Sequence, residues 1–418
     1  MLTGALIGPV FAPTQDETPA LRLVWLPVYA IVAGLLLARA RQVVHAWPAW
    51  IALGVMVALA YASKYWSIDP EVTGRRVIAM AITGAFALYL GATFRGQNLP
   101  RVLVQAGFLM AVGSLVMVFA FPAIGVHHDV NAGLWRGLWY EKNQMGIVMT
   151  ATAVAAAACL ASGDRRILIP LVALALSCLL VLATQSKTSL LCLMLGLGVV
   201  GGLWTMRAGG PAFSVLAVWL AVVGSCLFAI LWFSHSAAIL EALGKDPSLT
   251  GRTDIWDALM QRVADRPWTG YGYNAFWGRE SVPAAYIRLE TGWSVPSAHN
   301  GWIDLLVQLG WPGLILVAAL FAMTAVTHLC RAGGLGAREG GFSLAYLAVF
   351  LMLSFSESIL LSHQNLPWTL FLAILARAVA TSAVDIPTPL ARRQQRAYQT
   401  PPRIVPDYSH GRLPFPVR

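Results

Sequence analysis

Apolar runs long enough to cross a bilayer recur from one end of this chain to the other, and that recurrence limits its fold more than any other feature. A hydrocarbon core roughly 30 Å thick needs about 20 apolar residues per helix. About eleven such spans can be read, near residues 22–38, 47–63, 76–94, 102–121, 144–161, 167–183, 188–206, 212–233, 301–327, 342–361 and 366–381. A backbone in lipid must satisfy its own hydrogen bonds, and the spans carry no strand-like alternation, so they predict helices. The expected fold is an all-α polytopic membrane protein with about 11–12 transmembrane helices and one large, partly helical outer loop. The chain has 58% hydrophobic and only 11% charged residues, whereas soluble domains carry about 25% charged residues. Met1–Ala12 lacks a basic start and runs into Pro13, so it reads as a twelfth span or an interfacial stub, not as a cleavable signal peptide.

Lys and Arg in short loops set the orientation. Arg39 and Arg41, Arg95 and Arg101, Arg165 and Arg166, Arg207, and Arg331 and Arg338 fall on alternate loops. That set reads as cytoplasmic. The division expected is 1–233, N-terminal transmembrane helices; 234–300, a large periplasmic loop; 301–382, C-terminal transmembrane helices; and 383–418, a disordered cytoplasmic tail rich in Pro and Arg. The net charge of +10 is dispersed over loops instead of forming one stripe, which argues against nucleic acid. Membrane lipids are the expected partner of the basic tail. Cys159, Cys178, Cys192, Cys226 and Cys330 lie within or at the ends of apolar spans, which gives neither a disulfide framework nor metal-ligand spacing.

The outer segment 234–299 is far longer than a connector needs to be. Within it, Asp254–Asp265 places Ile255, Leu259 and Val263 on one helical face, with Thr253 or Asp254 to cap it and Pro267 to stop it. Trp268, Tyr271, Tyr273, Phe276 and Trp277 then crowd a glycine turn. These aromatics suit either stacking on sugar faces or an interfacial belt.

Basic residues on the outside run against the orientation rule. They are Arg136 and Lys142 in one loop, Lys187 in another, and Arg252, Arg262, Arg266, Arg279 and Arg288 in the large one. An anionic ligand would account for them, because guanidinium groups bind phosphate oxygens in pairs; solvated or snorkelling side chains are the alternative, above all for Arg262, Arg279 and Arg288. Lys187 stands in a turn directly between two spans, at the membrane surface. Glu141, Lys142 and Asn143 open a span, where helix N–H groups attract anions and Asn143 also suits ordinary capping. His299 ends the large loop at the next membrane entry. A free imidazole, with a pKa near about 6.5, can take up a proton at neutral pH. Asp304 follows one turn later and could orient that ring. Asp304 and Glu357 are the main charges in otherwise nearly charge-free spans.

Five short motifs stand in order: Glu-Lys-Asn-Gln-Met-Gly at 141–146, Gln-Ser-Lys-Thr-Ser at 185–189, Gly-Arg-Thr-Asp-Ile-Trp at 251–256, Pro-Trp-Thr-Gly-Tyr-Gly at 267–272, and His-Asn-Gly-Trp at 299–302 followed by Gln-Leu-Gly-Trp-Pro-Gly at 308–313. Over residues 130–375 the chain resembles the O-antigen ligase and polymerase superfamily, most of all exopolysaccharide polymerases of the succinoglycan type. The resemblance implies a membrane glycosyltransferase of the bacterial inner membrane that uses no metal or cofactor. Its active site would face the periplasm and its C-terminus the cytoplasm. Its donor would be an undecaprenyl-pyrophosphate-linked oligosaccharide. His299 would be the base for the acceptor hydroxyl, with Arg252 catalytic and a pyrophosphate ligand. Lys187, Lys142 and Arg136 would be further pyrophosphate contacts, with Asp304, Asn300, Asn143 and Glu357 in support. A chain-length regulator and a flippase of the same pathway are the protein partners it would imply.

Two departures bear on the branch. Lys187 stands where the ligases carry Arg, so its phosphate contact would be a point charge instead of a fork. No arginine is followed by glycine after ten intervening residues, a spacing typical of O-antigen polymerase loops, which favours the exopolysaccharide branch. Three activities follow: polymerisation of lipid-linked repeats, ligation of a finished glycan to lipid A core or another acceptor, and secondary transport. The nearly charge-free spans and the lack of an internal repeat argue against transport.

Overall fold

A computed structural model describes residues 19–128, 131–163, 166–210, 252–292, 294–333 and 339–379. The expected span at 212–233, the N-terminal stub and the basic tail lie outside these residues, as does Cys226. The described residues are helical, joined by turns, without a named strand. In chain order the helices are α1 (Pro19–Ala38), α2 (Ala40–Val44), α3 (Trp47–Ala62), α4 (Pro70–Thr93), α5 (Asn98–Ala120), α6 (Pro122–Gly125), α7 (Lys142–Ala161), α8 (Leu168–Thr184), α9 (Lys187–Gly210), α10 (Arg252–Asp265), α11 (Val282–Thr291), α12 (Gly301–Cys330), α13 (Phe342–Ser354) and α14 (Leu366–Val379). Among the described residues six helices are long and apolar enough to cross a membrane, and four shorter apolar ones accompany them. The chain is an all-α polytopic membrane protein.

The bundle is organised around α7 and α14, whose residues are mostly buried. Between lipid-solvated helices the hydrophobic effect supplies little, so close packing must hold them together. Small residues permit it. A Cβ on Gly107 would fall 2.1 Å from Thr152 Oγ1, and one on Gly91 would fall 2.4 Å from the Ala373 carbonyl oxygen. The rings of Phe350 and Phe371 stack at 4.9 Å on the facing side of α14. Leu37, Leu109, Phe119 and Leu168 are largely exposed, as lipid-facing side chains are.

Several local expectations are corrected. The helix in the large loop begins at Arg252, so Thr253 and Asp254 sit inside its first turn and do not cap it. Asn143 is likewise inside α7, whose cap position is Glu141. The span read as 342–361 ends at Ser354, where Ser354 Oγ turns back onto the Leu351 carbonyl. Residues 355–365 therefore form a longer connector than the sequence suggested, and Glu357 lies in that connector. A second loop helix, α11, was not foreseen. It is capped by Ser281, whose side chain accepts from Ala284 N–H, and it stops at Gly292 with φ 70°.

The described part of the large loop has its own core. Ile255, Leu259 and Val263 of α10 pack with Tyr271, Phe276, Ile287 and Val307. Tyr271, Tyr273 and Phe276 are thus interior side chains, serving neither of the two roles the sequence allowed. Trp268 alone of the five is widely exposed, at 67%.

A break in α12 docks this loop. Gly310, at φ 65° and ψ −165°, interrupts the helix, and Pro312 has no N–H to give the Gln308 carbonyl. The carbonyls of Val307 and Gln308 instead accept from Tyr271 N–H at 2.8 Å and Gly272 N–H at 3.0 Å, while Trp311 N–H donates to Pro267 O at 2.8 Å. Every backbone group freed by the break is taken up by the 267–272 turn, as buried amides require. A Cβ on Gly310 would lie 2.5 Å from Pro267 O, and one on Gly270 would lie 2.5 Å from the Gln308 carbonyl. The two glycine motifs, 36 residues apart at Gly272 and Gln308, are the two halves of one joint.

Candidate active site

His299 sits at the tip between the large loop and α12, in left-handed backbone at φ 49°. Asn300 fixes it there: its Oδ1 caps α12, accepting from Trp302 N–H at 3.0 Å and Ile303 N–H at 3.3 Å. The indole of Trp302 then donates to Ser354 Oγ at 2.9 Å. Gly301 is needed at this crossing, because a Cβ would fall 2.9 Å from Leu360 Cγ and 3.3 Å from the Glu357 carbonyl oxygen. The tip is thereby pressed against the 355–365 connector.

That contact brings the chemistry together. His299 Nδ1 lies 3.9 Å from Glu357 Oε2, with the two side chains 25% and 19% exposed. Arg252, at the start of α10, donates from Nη1 to the Ser356 carbonyl at 3.1 Å. Arg252 and His299, from distant parts of the chain, therefore meet on the adjacent connector residues Ser356 and Glu357. The Glu357 carboxylate faces the Nδ1 side of the ring from beyond hydrogen-bond length, so Nε2 is the nitrogen on the side away from it. Both side chains remain open to an approaching ligand.

Asp304 lies within electrostatic reach of His299 and is tied to the loop as well. It is buried, and its Oδ1 accepts from Trp277 Nε1–H at 2.7 Å. It braces α12 against the loop, while Glu357 is the carboxylate that faces the ring at 3.9 Å.

A second group forms where α7 and α9 begin. A Cβ on Gly146 would lie 2.3 Å from Ser189 Oγ, and Thr150 Oγ1 donates to the Ser189 carbonyl at 3.1 Å. The turns bearing Lys142 and Lys187 are therefore neighbours. Lys142 N–H donates to His127 Nε2 at 3.2 Å, and that ring lies 4.0 Å from Glu141. Arg136 is turned to the carbonyls of Ile124 at 2.8 Å and Ala123 at 3.4 Å, so it ties down the end of α6. The connector bridges the two groups: Glu357 stands near its start, and Leu366, just past its end, packs on the cluster of Leu138, Trp139 and Met145.

The other basic residues of the loop serve its structure. Arg288 Nη2 donates to the Trp277 carbonyl at 2.9 Å. Arg262 lies 3.5 Å from Asp265 and 3.8 Å from Glu290, and Arg266 covers the Tyr271 ring at 4.8 Å.

Sequence reading missed the far half of the connector. Arg76 Nη1 lies 2.6 Å from His363 Nε2, and arginine can only donate, so that nitrogen must be unprotonated. Burial, and then the Arg76 charge, push the His363 pKa down to about 3. On the other side of the ring, the Asn274 side-chain nitrogen Nδ2 lies 3.2 Å from His363 Nδ1. Asn274 N–H donates in turn to Gln308 Oε1 at 2.8 Å, and Tyr273 OH to the Leu361 carbonyl at 2.6 Å. Polar residues clustered at 354–365, at the end of an apolar span, were the available signal.

Residues 172–318 match the O-antigen ligase family, a stretch that holds Lys187, Arg252, His299, Asn300 and Asp304 and stops short of Glu357. The chain is 26% identical over 321 residues to the exopolysaccharide production protein ExoQ of Rhizobium meliloti (strain 1021), covering 73% of this chain and 71% of that one. It is 25% identical over 282 residues to an O-antigen ligase of Pseudomonas aeruginosa, covering 66% of this chain and 64% of that one. Residues 172–318 of this polytopic membrane protein are therefore similar to the O-antigen ligase family.

Proposed function

We propose that the protein is a glycosyltransferase that polymerises undecaprenyl-pyrophosphate-linked oligosaccharide repeat units into exopolysaccharide at the outer face of the bacterial inner membrane. The family and relatives support a membrane glycan polymerase or ligase. The observation that carries the finer reading is the meeting of His299 and Glu357 beside the Arg252 anchor on Ser356. In this reading His299 takes the proton from an acceptor hydroxyl, whose oxygen attacks the anomeric carbon as the bond to pyrophosphate breaks. Glu357 stabilises the imidazolium. Arg252, with Lys187 and Lys142 across the connector, stabilises the charge that builds on the leaving pyrophosphate, the kind of electrostatic contribution that often dominates catalysis. One displacement inverts the anomeric configuration.

The second reading, ligation of a finished glycan to a lipid acceptor, is favoured by the family description and by the Pseudomonas relative. Purified protein in vesicles with lipid-linked repeat units separates the two. Polymerisation gives a ladder of longer glycans, and His299→Ala abolishes it while the protein stays folded. A wild-type protein that elongates nothing but attaches preformed glycan to a lipid acceptor makes ligation the activity.

A further inference from the structure

Two cavities lie along α4: a polar one where α2 faces the end of α4 and the start of α5, and an apolar one between α1 and α4. At the end bearing Arg39, a cavity of about 320 Å³ is lined chiefly by Arg39, Gln42, Thr93, Asn98, Arg101 and Gln105. No carboxylate lines it. Between α1 and α4, a second cavity of about 320 Å³ is almost wholly apolar, with Trp25, Val32, Leu35, Ile82 and Phe86 in its walls.

The polar cavity is built for a ligand with acceptor oxygens. Arg39 and Arg101 bring two permanent positive charges, and Arg101 is oriented by Gln97, whose Oε1 accepts from its Nη2 at 2.7 Å. The buried polar atoms Gln42 Oε1 and Thr93 Oγ1 have no protein partner; a hydroxyl can donate, and a side-chain amide can turn its N–H₂ inward. Leaving such groups unsatisfied costs about 1–3 kcal/mol each. The nearest carboxylate on this side, Glu339, is held by Arg377 and by Ser343. Arg377 also donates to the Phe94 carbonyl at 3.1 Å, fixing the α4–α5 turn beneath the cavity.

The spacing of the two cavities matches one molecule. Leu35 and Arg39 are one helical turn apart on the α1 side. Thr83, at the far end of the groove, and Thr93, in the polar cavity, are separated by a rise of about 15 Å. That is half of a hydrocarbon core roughly 30 Å thick. A cationic cavity at headgroup depth above an apolar groove one leaflet long has the chemistry of an anionic phospholipid.

We propose that the apolar groove between α1 and α4, with the polar cavity at its α2–α5 end, binds an anionic phospholipid of the leaflet on the arginine-bearing side, with the phosphate between Arg39 and Arg101 and one acyl chain against Val32, Leu35 and Phe86. The site is independent of the glycosyl-transfer reading.

Native mass spectrometry of the full chain in detergent, titrated with phosphatidylglycerol or with phosphatidylcholine of the same acyl chains, tests it. Phosphatidylglycerol is retained about tenfold better or more, as two arginines near an anionic headgroup imply. The Arg39→Ala/Arg101→Ala variant loses the preference, whereas Arg41→Ala, an exposed charge on the same face that does not line the cavity, keeps it. Ile31→Trp, whose bulk enters the groove from a position 61% exposed, weakens retention of both lipids. Hydrogen exchange of the wild type in nanodiscs needs no variant: residues 39–45 and 93–102 are protected by phosphatidylglycerol over phosphatidylcholine. Equal retention by wild type and double variant, or unchanged exchange, overturns the proposal. Displacement of phosphatidylglycerol by excess inorganic phosphate also overturns it, since the cavity would then be a phosphate site without a lipid.

Discussion

Nδ1 of His299 lies 3.9 Å from Oε2 of Glu357, although 58 residues separate them in the chain. The pair exists because Gly301 lets the loop tip close on the connector, and it makes the connector part of the active site proposed above.

If the two side chains act as a unit, their losses will not add. His299→Ala should lower the polymerisation rate by about 10²–10⁴-fold, the usual contribution of general acid–base catalysis. Glu357→Gln should lower it by less, and the double variant should be no slower than His299→Ala alone. A double-mutant cycle on the rate would show a coupling of about 0.5–3 kcal/mol. Additive losses would break the dyad.

Arg252 is anchored through Nη1, leaving the rest of its guanidinium for a ligand. Arg252→Lys should fail to restore what Arg252→Ala loses, because an ammonium cannot hold the Ser356 carbonyl and a phosphate in the same fork. Losing a preorganised donor to developing charge costs about 10²–10³-fold in turnover. Steady-state kinetics on both variants checks this, and full activity with lysine would refute it.

The indole N–H of Trp277 satisfies a buried oxygen of Asp304 at 2.7 Å. Trp277→Phe keeps most of the ring and leaves that oxygen unpaired, with an expected cost of about 1–3 kcal/mol. The melting temperature should fall, and limited proteolysis should cut the large loop sooner. An unchanged melt would mean the bond contributes nothing.

Gly310→Ala should be worse tolerated than a surface Gly→Ala. The new Cβ would meet Pro267 O at 2.5 Å in backbone with φ 65°. The strain falls on the joint that docks the loop, so activity and loop protection should be lost together while the membrane helices remain folded. Hydrogen exchange confined to residues 267–272 and 305–312 reads this out.

The depressed pKa of His363 gives a signed pH dependence. Its folded value is about 3, below the ordinary value of about 6.5 that an unfolded chain would show. Between those values the unfolded chain binds more protons, so stability is present above about 6.5 and is lost as pH falls towards 3. Wild type should therefore melt at lower temperature at pH 5 than at pH 7.5. His363→Gln, which cannot titrate, should show a smaller difference. An equal difference in both proteins would remove His363 from the account.

The apolar spans and the all-helical fold were legible in the sequence, because lipid demands long apolar helices and punishes uncovered charge. Local chemistry was legible too: His299, Arg252 and the α10 face follow from short-range pattern. Partner choice was not. Asp304 is the nearer acid in sequence and lies within electrostatic reach of His299, while folding adds Glu357 at 3.9 Å from a distant part of the chain. The two glycine motifs looked like separate signals, but the break at Gly310 and the missing N–H of Pro312 expose carbonyls that only the 267–272 turn can satisfy. Arg76 and His363, 287 residues apart, carry no local pattern that would pair them. Sequence alone determined which segments lie in the membrane and which side chains are chemically able. Only tertiary packing decided which of them meet, since close approach depends on where a Cβ is absent and which backbone groups are left to pair.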